Sequence, residues 1–424
     1  MSYLTALRRF NVNVRLFLIA AAVIGFTNFG GIFAALFNLY MLRLGYGTQF
    51  IGTLNAVSSL TLMAFCLPAI ALERRFGSRR TILAGLVINI VSSVLIQGAI
   101  FIPASWRSAF LLISYGINSV GLAFYLVASQ PFLAASTTTL ERGHAFSVQA
   151  ALWPLSGFGG SLLGGMIPGL VNRFTGIPLT SAGPYQIALW ISAVISVFAL
   201  LVMLPTSQPQ SDTSEQDQYQ ENKRRISSSK SRSFIFSGLN PLQIIVLLSL
   251  IVTIQVPGEG SIRSFFNVYL DNGLSLPTTW IGLILGFGQL IAGMGALLTP
   301  LFTARLGNAR TYILFTLATS ICMLPLIFLP TWYGASLGYM GTIMMVQIAR
   351  PALITIQMES VPADYRASMS AVTTMAASLS FGLIGLLGGY MIPSNGYPAF
   401  FLLSALFTTL AGAGSWVYLR MQKA

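Results

Sequence analysis

Stretches of about twenty apolar residues follow one another along almost the whole 424-residue chain, divided by short basic turns and by one long polar segment. A helix of roughly that length crosses a bilayer core of about 30 Å, and it does so with its backbone groups bonded internally, as hydrocarbon demands. Twelve spans can be marked off, at 14–40, 48–72, 81–102, 108–133, 145–171, 184–204, 241–270, 276–303, 310–330, 333–358, 367–392 and 397–419. Charged residues make up only 8% of the chain, against about 25% in ordinary globular domains, so a soluble fold would expose large apolar patches to water. The sequence predicts an all-α membrane protein that crosses the bilayer repeatedly.

The polar segment from Pro205 to Ser233 is rich in Ser, Gln, Asp and Glu and turns basic at Lys223, Arg224, Arg225, Lys230 and Arg232. It cannot bury a core and divides the spans six and six: a first bundle over 1–204, a linker over 205–239 and a second bundle over 240–424. With six spans on either side, both termini share the linker's side of the membrane. Loops on that side hold eighteen of the 23 Lys and Arg residues, while Arg43, Arg107 and Arg173 fall on the other side and Arg263 and Arg350 within spans. Positive charge favours the cytoplasmic face, so the linker and termini are predicted to be cytoplasmic in a multi-pass protein of the cell membrane. The net charge of +13 is then a topology signal and not a nucleic-acid surface, which would need a contiguous basic face. Met1 to Arg15 is basic but lacks a small-residue cleavage site after a short apolar core, so no cleaved signal peptide is expected.

The two halves repeat one another. Phe37-Asn38-Leu39-Tyr40, Ile51-Gly52 and Arg75-Phe76-Gly77-Ser78-Arg79-Arg80-Thr81 return as Phe266-Asn267-Val268-Tyr269, Ile281-Gly282 and Arg305-Leu306-Gly307-Asn308-Ala309-Arg310-Thr311, at an offset of 229 or 230. Leu162-Leu163-Gly164-Gly165 returns as Leu386-Leu387-Gly388-Gly389 at an offset of 224. Two six-span halves in parallel repeat, a polar linker, and an Arg-x-Gly-x-x-Arg turn after the second and eighth spans resemble the major facilitator superfamily over essentially the whole chain. The resemblance implies twelve transmembrane helices in two pseudo-symmetric six-helix bundles, with a substrate site between the halves and transport by rocking of one half against the other.

The resemblance also implies that Arg75, Gly77, Arg79 and Arg80, with Arg305, Gly307 and Arg310, form gating loops. The family's pattern begins with Gly and places Asp just before the basic cluster, where this chain has Ile70 and Arg74; Glu73 stands one residue early, and the second half has Ala304. A plain basic anchor with a tight turn at Gly77 accounts for the same residues. Gly160-Ser161-Leu162-Leu163-Gly164-Gly165 partly resembles the family's antiporter motif, with Ser161 in place of proline. Its recurrence in span eleven equally suits close helix packing.

A charge at the bilayer centre costs at least about 2.5 to 3.5 kcal/mol and marks function by default. Glu259 and Arg263 are four residues apart in span seven, on one helix face, just after Pro257-Gly258. Arg350 precedes Pro351 in span ten, where the repeat has Gln130 before Pro131. Both arginines are candidates to hold an anionic substrate. The alternative is structural pairing, of Arg263 with Glu259 and of Arg350 with Glu359 or a carbonyl. Of the ten acids, Asp271 is assigned to an outer loop and the others to the linker, turns or helix ends, which leaves Glu259 as the candidate for proton coupling. Asn28, Asn118, Gln149, Trp153, Gln255 and Gln347 are polar or aromatic candidates for substrate contact, or for bonds between helices.

Cys66 and Cys322 each lie within an apolar run, and His144, beside Glu141 and Arg142, is the chain's single histidine. No metal site is expected. No phosphate-cradling loop is visible, nor a nucleophile with its base, so neither a cofactor nor an enzyme activity is expected. The expected function is secondary transport of a small organic solute by a monomer in the bilayer, with proton-coupled efflux of drug-like solutes first. Uptake of an anionic metabolite is the alternative, and a non-transporting sensor or assembly protein on the same fold a third reading.

Overall fold

The structure, a computed structural model, describes residues 10–208 and 240–421. Most of the linker lies outside the described residues, as do Arg8, Arg9 and Lys423. The first half runs α1 (Val12–Thr27), α2 (Ile32–Arg43), α3 (Thr48–Phe76), α4 (Ser78–Gly98), α5 (Ala104–Ala135), α6 (Thr139–Thr175) and α7 (Gly183–Met203). The second runs α8 (Pro241–Val268), a π-helical turn at Tyr269–Gly273, α9 (Thr278–Leu306), α10 (Asn308–Cys322), α11 (Leu324–Phe328), α12 (Trp332–Glu359) and α13 (Arg366–Met421). No strand occurs among the described residues.

Local sequence sets the helix ends. The Asn11 side chain accepts from the Val14 N–H at 2.9 Å and caps α1. Pro184 opens α7 within its first turn, where its missing N–H costs nothing. α3 passes into α4 through Gly77 alone (φ 85°, ψ 158°), and α9 into α10 through Gly307 (φ 79°, ψ 161°). That conformation is open essentially only to glycine, so the repeated Arg-x-Gly-x-x-Arg turn is one corner built twice.

Eleven helices are long and apolar enough to cross a membrane. The last of them, within α13, is two spans joined at Gly396, which leaves helical geometry at φ 78° and ψ 170° and falls between the spans predicted at 367–392 and 397–419. Span one departs from the expectation of a continuous helix: it breaks at Asn28–Gly31, with Gly30 at φ 75°. The consecutive glycines permit the break, and neighbouring side chains answer the carbonyls it frees, as a site away from water requires. Ser161 donates to the Gly30 carbonyl and Ser192 to that of Thr27 at 3.5 Å. Span five fits against the break because it presents glycine: a Cβ on Gly157 would come within 2.7 Å of the Phe29 carbonyl oxygen, and one on Gly164 within 3.1 Å of the Ile32 Cα. Close packing thus accounts for the glycine-rich stretch, and the hydroxyl that replaces the antiporter motif's proline bonds the broken backbone.

The helices form two compact units, one of Met1–Pro209, Ser264–Gly293 and Gly385–Tyr397, the other of Gln210–Arg263, Met294–Ile384 and Pro398–Ala424. α8, α9 and α13 therefore each contribute to both. Phe17, Ile82, Leu86, Phe132 and Met203 pack in the core of the first unit; Ile245, Leu248, Tyr312, Ile348 and Ile356 pack in that of the second. Large apolar side chains also face outward, such as Val246 at 66% and Leu297 at 72% exposure, the inverse of a soluble surface and suited to lipid.

Gly307 isolates the backbone requirement of the corner, because a Cβ there would meet nothing within 4 Å. Gly307→Ala is expected to cost about 1–3 kcal/mol, read as a lowered unfolding midpoint in detergent. Gly414→Ala, in open space within α13, should be neutral or stabilising by up to about 1 kcal/mol.

Candidate functional site

Pro257 lies inside α8. Having no N–H, it leaves the Thr253 carbonyl one turn earlier without its helical donor, and the Ser380 hydroxyl of α13 fills the place at 2.7 Å. Gly258 and Gly260 next to it admit close neighbours: a Cβ on Gly258 would strike Thr408, and one on Gly260 would lie 2.8 Å from Ile384. The helix carries Gln255, Glu259 and Arg263 at successive four-residue steps, a polar stripe along one face. Gln255 accepts from the Tyr312 hydroxyl at 3.0 Å.

Both arginines that the sequence singles out converge on the one carboxylate. Arg263 Nε donates to Glu259 Oε1 and Arg350 Nη2, from α12, donates to Glu259 Oε2, each at 2.6 Å. The i,i+4 pair is the one expected from spacing. The Arg350 bond differs from its expected partner Glu359, because Pro351 and the rest of α12 set Arg350 opposite Glu259, 91 residues away in sequence. The carboxylate side chain is 6% exposed, whereas those of Arg263 and Arg350 are 40% and 49% exposed. Two cations on one anion leave the cluster with a charge of +1. Among the described residues neither guanidinium bonds any acceptor besides Glu259, so N–H groups on two half-open side chains face outward from the pair. One turn before Arg350 on α12, Gln347 has a buried Oε1 without a donor.

The remaining sequence candidates lie in the first unit. Asn118 bonds Ser92 between α5 and α4 at 2.9 Å, a helix-to-helix tie. Asn28 caps the end of α1, where its amide donates to Thr27 Oγ1 at 3.0 Å. Trp153 stacks on Phe29 at the break in span one, with ring centroids 4.6 Å apart. Gln149 is buried in α6 with its Nε2 unpartnered.

In the turn after α3, Arg79 donates to the Leu204 carbonyl at 2.6 Å and to Thr206 Oγ1 at 3.3 Å, tying the corner to the end of α7. Arg75 lies over the Phe76 ring. Arg80, Arg305 and Arg310 are exposed. None of the three ion pairs among the described residues involves Glu73.

Sequence reasoning missed a second polar cluster in the first unit. Arg43 grips Asp271 with both ends of its guanidinium, Nη1 to Oδ2 at 2.8 Å and Nη2 to Oδ1 at 2.6 Å. The Asp271 side chain, in the π-helical turn at the end of α8, is only 7% exposed, so a second acid besides Glu259 is held by an arginine and shielded. Asn38 and Asn267 bond each other at 3.1 Å. The repeat had already placed those two asparagines at equivalent points of apolar helices, which was the available signal.

The sequence profile of the Major Facilitator Superfamily matches residues 16–385. The chain belongs to that superfamily. Among solved structures it is similar to a D-xylose-proton symporter (16% identity, TM-score 0.74, covering 100% of this chain and 99% of that one). It is also similar to a variant of a nucleoside transporter (13%, 0.70, 97% and 100%) and to a variant of a peptide transporter (11%, 0.72, 96% and 94%). No curated protein matches it. At these identities the neighbours show the fold: all-α, with twelve membrane helices in two pseudo-symmetric halves. This facilitator is a multi-pass membrane transporter of the alternating-access kind and not an enzyme.

Removing Glu259 strands two cations, whereas removing either arginine leaves a paired carboxylate. Glu259→Gln is therefore expected to lower the unfolding midpoint more than Arg263→Gln or Arg350→Gln. Its cost should be about 2–3 kcal/mol, below the about 3–5 kcal/mol of a fully buried pair because the arginines are half open. Ser380→Ala, which uncovers the Thr253 carbonyl, should cost about 0.5–2 kcal/mol by the same measurement.

Proposed function

We propose that this facilitator carries a small organic anion, seated by its carboxylate or phosphate on Arg263 and Arg350, and couples its movement to a proton exchanged at Glu259. The observation that supports this reading is the shared carboxylate: two half-open guanidinium groups hold a single buried anion between them, so the cluster is one negative charge short. Planar guanidinium groups with spare N–H donors suit carboxylate and phosphate oxygens.

The coupling follows from charge. With Glu259 ionised, part of each guanidinium is occupied and the cluster is +1. With Glu259 protonated the cluster is +2 and its bonds to the acid weaken, so an incoming anion meets more charge and more free donors. Proton and anion then bind cooperatively, and by linkage each tightens the other by the same factor. Such a pair moves together, which favours symport into the cell over exchange. Gln347 is proposed as a further substrate contact beside the two arginines, while Gln255 holds helices of the second unit and Asn118 and Asn28 hold those of the first. The Gly77 and Gly307 corners, with Arg75, Arg79, Arg80, Arg305 and Arg310, are proposed as the cytoplasmic gating loops of a monomer in the cell membrane, on the side of the linker and termini.

Export of an uncharged or cationic drug-like solute is the second reading, favoured by the Phe29–Trp153 stack. Purified protein in liposomes, given a panel of carboxylates, phosphates and neutral solutes with and without a pH gradient, separates the two. Under the anion reading, Arg263→Gln with Arg350→Gln lowers kcat/KM by about a hundredfold or more, since charge-assisted bonds contribute about 1.5–3 kcal/mol each. Glu259→Gln keeps anion exchange but loses accumulation driven by the gradient. Flux of neutral solutes alone, indifferent to the double arginine change, would sink the reading.

A further inference from the structure

Two hydrogen-bond acceptors of one residue in α12 lack their donors. Pro351 has no N–H to give to the carbonyl four residues earlier, which is that of Gln347. In α8 the carbonyl freed in the same way by Pro257 is taken by Ser380. In α12 the Thr299 hydroxyl bonds the next carbonyl, that of Ile348, at 3.3 Å, and among the described residues no side chain bonds that of Gln347. The side chain repeats the want: its Oε1 is buried without a donor, and its neighbours Val346 and Ile348 are apolar and 6% and 1% exposed. An amide can turn over to present nitrogen in place of oxygen, but a main-chain carbonyl cannot, so the demand at this place is for a donor. Away from water an acceptor left so is costly.

These acceptors stand at the charged cluster of the second unit. Gln347 is three residues before Arg350 and shares its helix face, with Cβ atoms about 5–6 Å apart. Spans seven and ten are three crossings apart and run in opposite senses, and the Arg350–Glu259 bond sets those two residues at one level. About one turn before Arg350 on α12 is therefore the level about one turn beyond Glu259 on α8, where Arg263 stands. Gln347 thus has the level of one half-open arginine and the face of the other.

Charge selects the donor. An ammonium group or a metal cation would add to a cluster already at +1, whose one carboxylate is held by both arginines. Glu359 and Asp364, the other acids of the second unit among the described residues, lie at least twelve residues beyond Gln347, about 18 Å along a helix. The missing donor is an uncharged one.

We infer, on the anion reading above, that the solute is a hydroxy acid, with its carboxylate on Arg263 and Arg350 and a hydroxyl on one of the next two carbons donating to Gln347. The single turn between Gln347 and Arg350 keeps that hydroxyl close to the charged end. A plain carboxylate leaves both acceptors unmet, and an amino acid brings a second cation to them.

Carboxylates of about three to six carbons test this, each as the parent acid, the 2-hydroxy acid, the 3-hydroxy acid and the 2-amino acid. The purified full-length protein in detergent is titrated with each, and the concentration that gives half the maximal rise in unfolding midpoint is read. A hydroxy acid should act at about a tenfold lower concentration than its parent, and the amino acid should be weaker than both, because a site built around a hydroxyl rejects the analogue without it. Two variants address the acceptors separately. Gln347→Leu removes the amide, and Pro351→Ala returns an N–H to the main-chain carbonyl. Each should cut the advantage of the hydroxy acid severalfold, and Pro351→Ala should do so while raising the unfolding midpoint of the ligand-free protein. If a variant does not fold, the comparison of acids on the unaltered protein still decides. Equal action of hydroxy acid and parent, an advantage for the amino acid, or an advantage unmoved by both variants would overturn the hydroxy acid and leave the anion reading standing. If no acid acts, or if all act unchanged on the Arg263→Gln, Arg350→Gln double variant, the anion reading falls and the hydroxy acid with it.

Discussion

Hydrocarbon offers no hydrogen bonds, so every backbone or side-chain group that leaves the regular helix must find its partner within the chain. The two most irregular places in this protein show the rule at work. Span one breaks at Gly30, and the Ser161 hydroxyl of span five takes the freed Gly30 carbonyl. Pro257 in span seven brings no N–H, and the Ser380 hydroxyl of span eleven takes the freed Thr253 carbonyl. Spans one and seven are repeat equivalents, as are five and eleven. At an offset of 229, Asn28-Phe29-Gly30 corresponds to Pro257-Gly258-Glu259. Both halves free a carbonyl at equivalent positions of the repeat and bond it with a serine from the equivalent neighbour, although the residues that free it differ.

Within the apolar spans, the matching motifs serve packing and the differences supply charge. Gly30 in the first half is Glu259 in the second, Ala34 is Arg263, and Gln130 is Arg350. The whole charged cluster is therefore an addition of the second repeat to a scaffold that the first half forms without it. Arg43–Asp271 departs from symmetry in the same manner, against the paired Asn38 and Asn267. A two-fold scaffold can close on itself by fit alone, while directed binding of one solute needs groups that have no counterpart.

Most of the architecture was legible because its signals are local. Twelve apolar stretches, the Gly77 and Gly307 corners and the Glu259–Arg263 spacing each lie within a few turns of one helix. The break in span one was not, because hydropathy summed over twenty residues passes across Asn28–Gly31 without a trace. Arg350 on Glu259 was not, because partners 91 residues apart are brought together by tertiary packing that no periodicity encodes. Asp271 was placed in a loop because it stands just past the apolar run, yet a π-helical turn over Tyr269–Gly273 extends the helix far enough to bury it against Arg43. Asn38 and Asn267 were visible as a repeat and were passed over as landmarks, although a matched pair of amides in apolar helices needs bonding partners and could have been assigned to each other.

The count of charges in the Glu259 cluster carries more meaning than their presence. A single carboxylate with a single arginine would be neutral, and an anion arriving there would have to displace the carboxylate to gain anything. Two arginines alone would repel one another and hold an anion too firmly to release it. One carboxylate between two arginines holds them near each other while leaving a net attraction for a second anion, and in the proposed coupling a proton on the buried acid would raise that attraction by a full unit of charge. The shielding of Glu259 and the openness of its partners divide the labour: the groups that would meet a solute are reached by it, and the group that would tune them is kept from competing directly for it.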